Sequence, residues 1–133
     1  MALPEDGMTL YINGRIYGLD GDKRSWNHIQ DISNGRPQFS LDAKTLAIGS
    51  RTVGTNGINS GRAMVYRWDE AASNYKQLAN YINGKAAGDR FGDAVALSSN
   101  GTTLAVLGGW VNDDDERPGY AQVYKLENST LLY

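Results

Sequence analysis

Cysteine is absent from this chain of 133 residues. That excludes disulfides, thiol nucleophiles and metal centres held by thiolates. Histidine occurs once, as His28 in "SWNHIQDI". A Ser-His-Asp set would have to use it, and no Gly-x-Ser-x-Gly elbow lies nearby. No run approaches the ~20 consecutive apolar residues of a membrane-spanning helix, so no membrane insertion is expected. The opening "MALPEDG" lacks a basic segment followed by an apolar one, so no signal peptide is read there. An excess charge of one sign is also missing, since 13 Lys and Arg oppose 15 Asp and Glu. Nucleic acid is therefore not an expected partner, because phosphate binding needs a basic field. "GTNGINSG" (54–61) is glycine-rich but lacks the Gly-Lys-Ser/Thr ending of a phosphate loop, and reads as a hairpin loop.

The residues that are present point to strands. Apolar residues make up 41% of the chain and charged residues 21%, a composition that can fold into one domain. There are 16 glycines, and the 8 tyrosines outnumber the 2 phenylalanines. Glycines, tyrosines and short apolar runs together describe strands joined by tight turns.

The chain also contains a repeat. "SLDAKTLAIGS" (40–50) matches "SSNGTTLAVLG" (98–108) at an offset of 58 residues, through Ser40 and Ser98, Thr45 and Thr103, Leu46 and Leu104, Ala47 and Ala105. At the same offset "SGRAMVYRW" (60–68) falls on "PGYAQVYKL" (118–126). "YING" occurs at 11–14 and again at 81–84. Each copy reads as strands: 37–41, 44–50 and 62–68 in the first, 93–98, 102–108 and 120–126 in the second. Asn100–Gly101 between apolar runs signals a hairpin, because both residues tolerate positive φ. Residues 74–82 are a further strand, with a helix over 68–82 as the alternative. The expected architecture is all-β, with antiparallel four-stranded blades of the β-propeller type. About two blades of roughly 58 residues each are expected, over 1–68 and 69–133. Two blades form an incomplete ring unless assembled, so self-association or a larger complex is expected.

"GDRFGDAVALSSNGTTLAV" (88–106) followed by "GYAQVY" (119–124) resembles the FG-GAP repeat of integrin-α-like β-propellers. Phe91, Gly92, Ser98, Asn100, Gly101, Leu104, Gly119, Val123 and Tyr124 carry the resemblance. The first copy has no Phe-Gly at the matching place. The resemblance implies a multi-blade ring, an extracellular or cell-surface setting, and a non-catalytic module for protein contact, structural or adhesive in role. A glycan-binding module and a calcium-dependent adhesion module are the alternatives.

Few residue sets carry chemistry. "VNDDDERPGY" (111–120) offers Asp113, Asp114 and Asp115, with Asn112 and Glu116, as calcium ligands; "LDGDKRSW" (19–26) offers Asp20 and Asp22. Neither has the alternating order that gathers oxygen ligands on one side, and consecutive carboxylates in an extended chain point in opposite directions. No resident cofactor is expected beyond calcium. Trp110 starts the acidic loop and, with Tyr120, is the candidate interface for a protein or a glycan; Trp110 as a buried anchor stays open. Asp89 and Asp93 flank the Phe-Gly turn as a possible acid–base pair, with turn capping as the other reading. No catalytic residue is assigned.

Overall fold

In the computed structural model, residues 8–19, 25–78, 81–109, 120–127 and 130–132 are described. They form twelve strands and no helix, in three antiparallel sheets. No helix among them is long and apolar enough to cross a membrane.

The first sheet holds β1 (Thr9–Ile12), β2 (Arg15–Leu19) and β3 (Trp26–Asp31) in that order. Asn13 and Gly14 join β1 to β2 with φ of 48° and 81°. Two left-handed residues in a two-residue loop match the twist of a hairpin. The β2–β3 register slips at Ile16 and Tyr17, which pair with Gln30 and His28 and leave Ile29 between them. The extra residue turns His28 and Asp31 to the same side, where His28 Nε2 lies 2.8 Å from Asp31 Oδ1.

The middle sheet holds β4 (Arg36–Phe39), β5 (Thr45–Ser50), β6 (Arg62–Asp69) and β7 (Asn74–Gln77), with β8 (Ile82–Asn83) also on β6. The third holds β9 (Ala94–Leu97), β10 (Thr103–Gly108), β11 (Tyr120–Glu127) and β12 (Thr130–Leu132). The 58-residue offset holds strand by strand, since β4, β5 and β6 fall on β9, β10 and β11. It also holds in the pairing: Leu46 faces Tyr66 and Leu104 faces Tyr124. The strand expected over 74–82 stops at Gln77 and resumes at Ile82, and the helical alternative does not form. The two "YING" stretches differ. The first is a hairpin, while Ile82 and Asn83 of the second lie along β6. The described residues before 36 build a sheet of their own, ahead of the first full copy of the repeat.

The turns repeat as well. Ser40 N–H donates to Thr45 O and Ser98 N–H to Thr103 O, both at 2.9 Å. Ala43 and Gly101 occupy the same left-handed position, with φ of 62° and 73°. Only Gly101 of the expected Asn-Gly pair takes positive φ. Asn100 instead accepts a hydrogen bond from Thr102 N–H at 3.1 Å, so the connection is a four-residue turn.

Asp42 stands where the second turn has Asn100. Burial alone would raise its pKa, but bonds from Lys44 N–H and the Ser40 hydroxyl favour the carboxylate and leave it below the ordinary 3.8. A depressed folded pKa contributes stability above the unfolded value, and this is lost as pH falls through the folded one. Asp42→Asn is therefore expected to flatten the acid limb of stability against pH. Urea midpoints from about pH 5 down to about pH 2 check this; parallel curves for both proteins would refute it.

The three sheets stack face to face, and β5 is buried along its whole length. On one side of the middle sheet, Tyr11 and Ile16 pack with Phe39, Leu46, Ile48, Met64, Tyr66 and Tyr75. On the other, Ala47, Ala63 and Val65 meet Phe91, Leu104, Val106 and Leu126. The middle sheet thus presents one face of large side chains and one of small.

Candidate functional site

The longer described connections, 51–61 and 84–93, gather at one end of the middle sheet. Loop 51–61 is held to itself by Gly61 N–H on Val53 O at 2.7 Å, and to the next connection by Asn56 Nδ2 on Gly84 O at 2.8 Å. It is the expected loop, and it carries no phosphate-loop helix.

A cleft of about 340 Å³ opens at this end, lined by Asn34, Arg36, Ser50, Arg51 and Thr52 among others. Its wall is built by backbone capture. The Tyr11 hydroxyl donates to Ser33 O at 2.9 Å and accepts from Gly35 N–H at 3.1 Å; Ser50 Oγ donates to Asn34 O at 2.8 Å. Burial pushes the Tyr11 hydroxyl above its usual pKa, against the opposing effect of its backbone hydrogen bonds, so it stays protonated as a donor.

Arg36 opens β4 and Arg51 follows β5, and both residues line the cleft. Arg51 Nη1 donates to Asp93 Oδ1 at 2.9 Å, and both side chains keep over a third of their exposure. Two further arginines lie at this end. Arg62 stacks its guanidinium 4.0 Å from the Tyr81 ring centroid. The buried Nε atoms of Arg62 and Arg90 have no hydrogen-bond partner among the described residues. A guanidinium group held in place, as Arg51 is by Asp93, suits a carboxylate or a phosphate.

The expected carboxylate pair divides its labour. Asp89 is buried, and its Oδ2 accepts from Ala86 N–H at 3.0 Å, capping a turn. Asp93 fixes Arg51. Trp110, Asn112, Asp113, Asp114, Asp115, Glu116, Asp20 and Asp22 lie outside the described residues, so the calcium reading and the Trp110 interface fall on positions the structure does not describe. Tyr120 opens β11 opposite Gly108. Among the described residues no three His, Asp or Glu side chains group as metal ligands do.

A second hollow of about 290 Å³ sits at the opposite end, between the first and middle sheets. Trp68 and Tyr75 meet there edge to face at 5.1 Å, beside Asp42, Lys44 and Glu70. The Tyr75 hydroxyl donates to Ala43 O, and Gln30 Nε2 bonds Tyr75 O at 3.0 Å. The Gln30 bond fastens the first sheet to the middle one.

The sequence reading missed Arg36 and Arg51. A signal existed, because their counterparts in the second copy are Ala94 and Gly109. Arginines standing where the repeat itself needs only small residues are additions to the fold.

No protein-family model matches the chain, and no curated protein matches its sequence. Among solved structures it is similar over 98% of its length to a putative 6-phosphogluconolactonase from Bacteroides uniformis, with a TM-score of 0.56 and 15% identity. A second protein so named, from Bacteroides fragilis, aligns over 98% of the chain with a TM-score of 0.55 and 17% identity. The chain spans 37% and 35% of those two structures. These likenesses overturn the FG-GAP resemblance, and with it the adhesive, structural, non-catalytic reading. The residues that carried the resemblance have packing explanations. Phe91 is a buried plug between two sheets, a Cβ on Gly92 would meet Arg62 O at 2.3 Å, and the Ser-x-Asn-Gly turn returns a strand. Such demands belong to stacked antiparallel sheets in general.

Proposed function

We propose that this chain provides an anion-holding end of a sugar-lactone hydrolase, its sheets standing as successive blades. One observation carries the reading: the cleft holds Arg36 and Arg51, and Asp93 fixes the second of them. The likeness to structures named as 6-phosphogluconolactonases supports the substrate class, a sugar lactone bearing an anionic group. A guanidinium fork can take a phosphate or carboxylate through two parallel hydrogen bonds. When water adds to a lactone, negative charge grows on the carbonyl oxygen. A cation already held in place stabilises that charge without reorganising. Asp93 acts here as a positioning residue.

The chain spans about a third of those structures, so ligand binding is a more direct test than turnover. Titration calorimetry with 6-phosphogluconate is expected to give saturable binding that weakens with salt. Loss of one charged hydrogen-bonding partner costs roughly 1.5–3 kcal/mol, so Arg51→Ala should weaken binding about 10- to 100-fold. Arg36→Ala should weaken it similarly, and Asp93→Asn less. Binding that survives in the Arg36→Ala, Arg51→Ala double variant would sink the proposal.

A further inference from the structure

The stacking leaves two faces without a partner among the described residues, and they are unlike each other. The small-residue face of the middle sheet carries Ala47, Ala63 and Val65, which are 0%, 0% and 2% exposed under the third sheet. The same positions 58 residues on are Ala105, Ala121 and Val123. They form the outward face of the third sheet, with Ala96 and Leu107 beside them. Val123 is 56% exposed and Leu107 is 42% exposed. The third sheet therefore displays the surface its counterpart buries.

At the other end, Tyr11 and Ile16 face the core, so the alternating residues of β1 and β2 face away. These are Leu10, Ile12, Arg15, Tyr17 and Leu19, and on the same side β3 carries His28 and Asp31 opposite Tyr17 and Arg15, and Trp26, 40% exposed, opposite Leu19. This is a face of large side chains. It corresponds in kind to the faces of the middle and third sheets that carry Leu46 with Tyr66 and Leu104 with Tyr124.

At the junction of the middle and third sheets, a small-residue face is set against a large-residue face. The two free faces are the missing halves of one more such junction, on opposite ends of the same chain. We propose that a second copy of this chain docks head to tail, its first sheet covering Ala105, Leu107, Ala121 and Val123 of the third sheet. The contact is heterologous, so it propagates into a closed ring or an open row according to the angle between copies. Arg67 reaches across the existing junction from the middle sheet to Gly101 O at 3.4 Å. Lys125 occupies the same position on the free face. The inference stands on packing alone and is independent of the lactonase reading.

Light scattering coupled to size-exclusion chromatography tests it on the full chain. The unmodified protein should show a mass above that of a single chain, rising with concentration. Val123→Arg spoils one face and Tyr17→Glu the other. Each variant alone should run as a single chain, with circular dichroism and melting temperature retained. Leu107→Asp and Trp26→Ser serve if either first choice unfolds. An equimolar mixture of the two spoiled variants still offers one intact face from each, and should form a dimer and nothing larger. A single-chain mass for the unmodified protein at its solubility limit would overturn the proposal. So would assembly that Val123→Arg abolishes and Tyr17→Glu leaves intact, because that is like-to-like contact of the third sheet. A mixture that stays monomeric would overturn it too.

Discussion

Gly61→Ala is expected to destabilise the protein by roughly 2–5 kcal/mol, combining a left-handed backbone penalty of about 1–2 with an overpacking cost of about 1–3. Gly61 has φ of 81°, and a Cβ there would lie 2.1 Å from Phe91 O and 2.5 Å from Phe91 N. Both are backbone atoms and cannot swing aside. The residue is also tied on two sides, through its own N–H on Val53 O and its carbonyl to Gly84 N–H. Its isolated bridge with Phe91 runs parallel and ties the middle sheet to the path leading into the third. Moving that path shifts the Phe91 ring, which is 2% exposed and packs with Leu104 and Val106. Gly88→Ala is the control. Gly88 has φ of 83° with nothing within 4 Å of a built Cβ, so it carries the backbone penalty of about 1–2 kcal/mol alone. Urea unfolding of both variants separates conformation from collision. Equal losses would show that the Gly61 junction yields at little cost.

The middle and third sheets were legible in the sequence because their strands and turns answer to local rules. Ser40 and Ser98 both cap a turn, Ala43 and Gly101 both take a left-handed position, and Leu46 and Leu104 both fill a core. One copy could check the other. The first sheet had no such control. Its third strand, "WNHIQD", lacks clean alternation because the irregularity at Ile29 shifts the phase, and its pairing follows from register rather than composition. The cleft was hidden for another reason. Arg51 and Asp93 are 42 positions apart and meet only because β5 and β9 lie on adjacent stacked sheets. Asn100–Gly101 was read correctly as a strand return, although only Gly101 takes positive φ, whereas the packing role of Phe91 and Gly92 was not read from the sequence. They misled when taken as the mark of a family, since any stacked antiparallel sheet with short returns needs such residues.

The repeat also sets up a comparison between two equivalent core positions. Leu46→Ala and Leu104→Ala remove the same side chain from sites 58 residues apart, both 0% exposed. Truncation of a buried leucine costs about 2–5 kcal/mol, the spread reflecting how far the surroundings close the void. Leu46 lies between Phe39 and Tyr66 across the sheet, both buried, and under Tyr11 and Ile16 of the first sheet. Tyr11 is pinned by hydrogen bonds to Ser33 and Gly35, and Tyr66 by Ser33 Oγ at 2.9 Å, so this site resists collapse. Leu104 lies between Leu97 and Tyr124, which are only partly buried and pack at the margin of their cluster. Those side chains have room to move into a void. Leu46→Ala is therefore expected to lose more than Leu104→Ala, by roughly 1 kcal/mol within the range for such truncations. The two positions belong to separate clusters on opposite faces of the middle sheet, so the double variant should lose the sum to within about 0.5 kcal/mol. Denaturant midpoints at constant slope measure all three. A larger loss at Leu104 would mean that the third sheet is held more rigidly than its exposed outer face implies. A strongly non-additive double variant would mean that β5, buried on both sides, transmits a void from one face to the other.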